Sequence, residues 1–227
     1  MMPSTATGMR DDETLDDLRT RLAPLIAANA GFDGWTIKAV EMAAAQAGVD
    51  SDIAALAFKD GPVSMISAWF ASVDATMLER LGADALAAMK IRARITALVE
   101  ERLMLLAPHR EALRRAQAIL AMPRNMSKAA QLGWHAADVM WRAAGDTAVD
   151  YNHYTKRATL GSVYAATLLT FVNDESEDFA ETRAFLARRI EDIMRFEKAK
   201  ARLRDQSDMH FSPARFLGRL RYRASQR

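Results

Sequence analysis

Apolar residues recur along the chain at helical spacing. Leu15, Leu18, Leu22, Leu25 and Ile26 form a stripe that predicts a first helix over roughly 16–28, and "FDGWT" interrupts it. Asp33 or Thr36 suits the cap of a second helix, which Gly48 closes. "DSDIAALAF" reads as a short helix from Asp50 to Phe58. The turn "KDGP" then delivers Pro62 to the favoured first position of a longer helix that stops at Gly82. From Asp84 onward one helix is expected, with Met89, Ile91, Ile95, Leu98, Leu103 and Leu106 inside. Lys90, Arg92, Arg94, Glu100, Glu101 and Arg102 face solvent on this reading. Pro108 and Pro123 each open a further helix, the second ending at Gly145, and the next runs to about Val172. After the polar loop "NDESED" a long helix starts near Asp178 and passes Lys200. A Ser-Pro pair starts a last one at Ser212.

The pattern thus predicts about ten helices and no strand, an all-α chain. Five regions follow: a disordered start at 1–14, a helical N-terminal region at 15–81, a helical bundle at 82–204, a linker at 205–211 and a tail helix at 212–227. Composition agrees with this class. Half of the 227 residues are apolar, and Gly and Pro are sparse. With no cysteine, disulfide and thiolate chemistry are excluded and a reducing compartment is expected. No apolar run nears the roughly 20 residues of a membrane-spanning helix. The N-terminus has neither a signal-peptide core nor a transit-peptide composition, so a cytoplasmic, bacterial protein is expected. The net charge of +2 is unevenly placed: ten Lys and Arg against three acids lie between Arg195 and Arg227, a net +7, and the remainder carries −5.

The search for catalytic chemistry returns little. His109, His135, His153 and His210 show no metal-ligand spacing, and no phosphate-binding or nucleophile motif is present. No catalytic residue, no metal and no cofactor are expected. Residues 39–70, with two short helices around an Ala-Gly-Val turn, resemble the DNA-binding half of TetR-type repressors. The would-be reading helix carries Asp50 and Asp52 and no base before Lys59, so it meets phosphate poorly. A degenerate module without DNA binding is the expectation, and a TetR-family regulator with an apolar pocket is the alternative. In the tail, Phe216, Leu217 and Leu220 cluster opposite Arg215, Arg219 and Arg223, with Arg221 and Tyr222 flanking. That pattern suits a helix lying on an anionic membrane surface, or one packed on its own domain or another subunit. Met65, Trp69, Met104, Trp134, Met140, Trp141, Tyr164 and Leu168 are large side chains that either fill the core or line an apolar cavity.

The run "WHAADVMWRAAGDTAVDYNHYTKRATLGSVYAATLLTFVNDESEDFAETRAFLARRIEDIMRFEKAK" closely resembles the COQ-nine family of ubiquinone-biosynthesis accessory proteins. "MKIRARI", "LAPHREALRRA" and "GWTIKAVEMAAAQAGV" fit the same family, so the likeness covers roughly residues 31–200. It implies a TetR-like all-α fold, a homodimer, and a cavity for an isoprenoid lipid, phospholipid or quinone intermediate. It also implies a terminal amphipathic helix on the inner membrane. The implied partner is the demethoxyubiquinone hydroxylase, docked on a patch that includes Asp150, Tyr151, Asn152, His153, Tyr154 and Arg157. His153 stands where relatives carry Trp, which removes a typical anchoring side chain.

Overall fold

In a computed structural model of the chain, residues 13–147 and 151–209 are described, with side chains for 13–147 and 153–195. Ten α-helices and three short 3-10 turns make up the described residues, and none of these is in a strand. α1 (Leu15–Asp33) begins at Thr14. The threonine hydroxyl accepts from the Asp17 amide while Asp17 returns a bond to the Thr14 amide, so two orphan donors are satisfied together. The helix runs five residues further than its apolar stripe suggests, because Leu18, Leu22, Ile26, Ala27 and Ala30 keep one face buried throughout. Pro24 lies on its exposed side, where a lost backbone bond costs least.

α2 (Ile37–Ala47) and α3 (Ser51–Ala57) follow, separated by Gly48 in the left-handed region. Asp50 caps α3 by accepting from the amides of Asp52 and Ile53. α4 (Pro62–Leu81) packs on α1 and carries the centre of the core. There Trp69 is 2% exposed against Trp35 and Phe70, with both ring centroids at 5.3 Å. Trp35 donates its indole N–H to the Ala112 carbonyl at 3.0 Å, so its one polar atom is satisfied in the interior.

The single helix expected from Asp84 is two: α5 (Ala83–Ala88) and α6 (Ile91–Leu106), broken at Met89 and Lys90, both in extended conformation. The break turns Ile91, expected inside, outward to 43% exposure. It also lets Arg94, expected in solvent, donate to the carbonyls of Ala87, Met89 and Ala144, which ties the end of α5 to the end of α8. Pro108 and Pro123 sit in 3-10 turns (Ala107–His109 and Pro123–Asn125) that lead into α7 (Arg110–Leu120) and α8 (Met126–Ala143).

α9 (Tyr151–Phe171) lies against α8. At Gly161 the two backbones come close: a Cβ there would meet the Gly133 carbonyl oxygen at 3.4 Å. The loop into α10 (Ala180–Met209) is held by Asp174, which is 2% exposed. It accepts from the amide and hydroxyl of Ser176 and of Thr182 at 2.5–2.9 Å. Phe179 adopts a left-handed φ of 56° and sets its ring 4.8 Å from that of Phe171, tilted by 51°, under the Arg110 guanidinium. α10 continues through 205–209, residues the sequence pattern assigns to a linker, and the predicted helix from Ser212 lies outside the described residues. The chain divides into two units at Leu186 and Ala187 rather than near residue 82, because α1–α9 share one core. In the second unit Arg189 pairs with Asp192 and Arg195 with Glu191 along the exposed side of α10.

Candidate functional site

Five helices of the first unit enclose a cavity of about 260 Å³. α4 contributes Phe70 and α6 contributes Arg102, while Gln117, Leu120 and Ala121 come from α7 and its end. α8 supplies Ala129, Leu132, Gly133 and Ala136, and α9 supplies Tyr164, Ala165, Leu168 and Leu169. The small residues are the reason for the space: Ala129, Gly133, Ala136 and Ala165 leave room where larger side chains would interlock. Leu169 is 60% exposed, so the lining reaches the surface.

The wall is apolar except at one end. Arg102 is only 1% exposed, and its Nη1 pairs with Oδ1 of the equally buried Asp74. Its Nε donates to the Tyr164 hydroxyl at 2.7 Å. The guanidinium also faces the rings of Tyr164 and Phe70, at 5.2 and 5.8 Å from their centroids. Burial pushes the Tyr164 phenol above its ordinary range, outweighing the opposing charge and hydrogen bond of Arg102, so the hydroxyl keeps its proton.

Of the eight residues expected to line a cavity, Tyr164 and Leu168 do so. Met65, Trp69 and Met140 are at most 2% exposed and are ordinary core. Met104 is half-buried away from the lining, and Trp141 spends its indole N–H on the Lys156 carbonyl under the Lys156 ammonium. Trp134 lies on the opposite side of α8 from the lining, against His153 and Tyr154. Arg102, placed in solvent by its charge, is among the most buried side chains of the molecule. The pattern held a usable signal: Arg102 falls between Leu98 and Leu106 at four-residue steps, and Asp74 falls four residues after Phe70. An acid and a base each interrupting an apolar stripe must find each other or another partner.

The second cluster is at the entry to α9. Gly145, with φ of +85°, ends α8 in a Schellman turn: its amide donates to the Arg142 carbonyl and the Asp146 amide to that of Trp141. The left-handed φ is what favours glycine there, and a Cβ would in addition crowd Arg94 Nη1 at 3.0 Å. The turn aims Asp146 at α9, where it accepts from Lys156 at 2.6 Å and from Arg157 at 3.0 Å. Arg157 also donates from Nε to Asp138 at 2.5 Å, and Asp138 holds Arg142 on its other oxygen. Burial pushes both carboxyls up, but the cations around them outweigh it and hold each below the usual carboxylate range.

Arg157 is therefore a correction to the expected docking patch. It is 1% exposed and joins α8 to α9 from inside. What faces outward is Tyr154, 61% exposed, with the half-buried rings of Trp134 at 6.0 Å and His153 at 5.1 Å beside it. Asp150 falls outside the described residues, as do the side chains of Tyr151 and Asn152. So do Arg215, Phe216, Leu217, Arg219, Leu220, Arg221, Tyr222 and Arg223, the expected membrane face. Among the described residues no helix is long and apolar enough to cross a membrane, and no three His or acid side chains gather as metal ligands would. His109 is half-buried edge-on to Trp69, and burial pushes its pKa down.

Comparison with known proteins agrees with the resemblance read from the sequence. Residues 126–197 match the family model COQ9. The chain is 31% identical over 192 residues to "Ubiquinone biosynthesis protein COQ9, mitochondrial" of Homo sapiens, a match that covers 81% of this chain and 60% of that protein. The protein of the same name from Drosophila melanogaster is 25% identical over 201 residues, covering 86% of this chain and 61% of its own length. The chain thus spans about 60% of the length of these curated relatives. Among solved structures, a TetR transcriptional regulator from Nitrosomonas europaea ATCC 19718 superposes with a TM-score of 0.60 at 24% identity, over 76% of this chain and 95% of that one. At that identity the likeness concerns the fold: the bundle is TetR-like.

Proposed function

From a chain whose residues 126–197 carry the COQ9 family's pattern, we propose a lipid-binding accessory protein of ubiquinone biosynthesis. It takes up an isoprenoid quinone intermediate and presents it to the demethoxyubiquinone hydroxylase. The observation that carries this reading is the cavity of about 260 Å³, apolar along α7, α8 and α9 and polar only at Arg102, Tyr164 and Gln117. It is at the low end of small-molecule sites, roughly 300 Å³ upward, so it suits one end of a long lipid with the remainder leaving past the exposed Leu169. Every 100 Å² of lipid removed from water stabilises the complex by about 2.5 kcal/mol, which is the physical basis for extraction from a bilayer.

The exposed ring of Tyr154, with the half-buried Trp134 and His153 beside it, supplies the docking surface for the hydroxylase, as aromatic side chains do at interface centres. The basic tail holds the protein, as a homodimer, peripherally on the anionic inner membrane of a bacterium. The protein performs no chemistry of its own in this scheme. For the repressor alternative the described residues offer no added support, since α3 presents Asp50 and Asp52 at the end that would approach phosphate.

Filling the cavity tests the reading. Ala136, 2% exposed in the lining, is replaced by Phe, and organic extracts of the purified wild-type and Ala136→Phe proteins are compared by mass spectrometry. The wild type is expected to carry an isoprenoid or phospholipid that the variant lacks. Extracts of the wild type repeatedly free of lipid would end the proposal.

A further inference from the structure

One stretch of the first unit sets exposed apolar and basic side chains at the edge of the cavity. Between Glu111 and Asp138 the sequence holds no acid. The turn from α7 to α8 lies in that gap and follows directly on Leu120 and Ala121, two residues of the cavity lining. Met122 and Met126, at the two ends of the turn, are 40% and 62% exposed. Met126 stands one helical turn before Ala129, which also lines the cavity. Leu169 brings the lining to the surface from α9. Single exposed apolar residues are commonplace, but these three all lie in or beside the lining of one cavity.

The bases of the same turn are uncommitted. Arg124 makes one side-chain contact, from Nη2 to the Met122 sulfur at 3.5 Å. Neither Arg124 nor Lys128 pairs with a described acid. Arg114, Arg115 and Arg142, on the same two helices, each hold a carboxylate. Two uncompensated cations beside thioethers are the makings of an interfacial contact, in which bases meet lipid phosphates and apolar side chains enter the acyl boundary. No carboxylate in the turn opposes an anionic surface. Methionine, unbranched and adaptable, matches a fluid phase better than a shaped protein pocket.

We propose that the α7–α8 turn is a membrane-contact surface of the bundle itself. Arg124 and Lys128 bind the phosphates of anionic lipids, and Met122, Met126 and Leu169 enter the acyl boundary, so that the cavity opens onto the bilayer. This rests on the peripheral-membrane reading above and adds a second contact, separate from the basic tail.

The chain has no cysteine, so a single introduced one is labelled without background. Full-length Met126→Cys carries an NBD fluorophore, and Ser51→Cys, exposed at the start of α3, is the labelled reference. Both are mixed with vesicles of phosphatidylglycerol and phosphatidylethanolamine. The label at position 126 is expected to blue-shift and to be quenched by doxyl-labelled lipid, and the label at 51 to do neither. In the unlabelled chain Arg124→Gln and Lys128→Gln, both at exposed positions, each lower vesicle affinity about fivefold by flotation, with the melting curve unchanged. Vesicle binding with a label at 126 that stays in water overturns the inference and leaves the tail reading standing. Unchanged affinity in both Gln variants counts the same way. A shift at 126 that grows with protein concentration in the absence of vesicles assigns the turn to a second copy, and also overturns it. No vesicle binding by the wild-type chain removes both readings.

Discussion

Replacing Arg157 with methionine separates a structural role from a docking role. The side chain keeps its apolar stem but loses two carboxylate partners: Asp138 at 2.5 Å, 16% exposed, and Asp146 at 3.0 Å, 5% exposed. Removing one member of a buried ion pair typically costs about 3–5 kcal/mol, because the remaining charge is stranded. Here the stranding is partial. Asp138 keeps Arg142 at 2.8 Å and Asp146 keeps Lys156 at 2.6 Å, which puts the loss at the lower end, about 3 kcal/mol. At about 2–4 °C per kcal/mol for a domain of this size, the melting temperature falls by about 6–12 °C. Circular dichroism at 222 nm in low-salt buffer at pH 7 measures it, with Asp146→Asn and the double variant completing a cycle. The two substitutions act on the same contact, so the double variant should lose less than the sum of the singles. A melting temperature within 2 °C of wild type, combined with lost hydroxylase binding, would refute the structural assignment and return Arg157 to the docking patch.

Asp174 gives a pH prediction. Burial pushes its carboxyl up, but the hydroxyl and amide donors of Ser176 and Thr182 outweigh this and hold it far below the usual range. A depressed folded-state pKa contributes stability that is fully present above the unfolded value, near 3.9, and is lost as pH falls below it. Asp174→Asn is expected to lower stability by about 3 kcal/mol at pH 7 and to flatten the acid limb between about pH 4 and pH 2. Chemical denaturation at several pH values reads both, and an unchanged acid limb would contradict the assignment. At the α8–α9 contact, Gly161→Val places a branched side chain against the Gly133 carbonyl and should cost about 1–3 kcal/mol. Since Gly133 also lines the cavity, retained lipid should fall with it, whereas unchanged stability would mean that α8 and α9 separate freely.

Local chemistry alone settled much of this protein. Helical periodicity, with Pro62 at a first turn and glycines at 48, 82 and 145, fixed most element ends, because caps and left-handed turns depend on residues within five positions of one another. The all-α class and the family likeness followed from patterns of the same range. What the pattern could not set was the partner of each buried polar group. Arg102 and Arg157 look like solvent-facing bases in sequence, and both are 1% exposed because Asp74, Asp138 and Asp146 arrive from other helices or turns to compensate them. The cavity was illegible for the same reason. Its size comes from small residues on α8 and α9 facing one another, and a sequence shows that a residue is small without showing what stands opposite. Met65, Trp69 and Met140 looked like ligand contacts for their bulk, yet bulk fills space and Ala129, Gly133 and Ala136 leave it. Helix ends are decided within a turn or two of backbone; pairing and empty volume are decided between helices far apart in the chain, and only the folded arrangement specifies them.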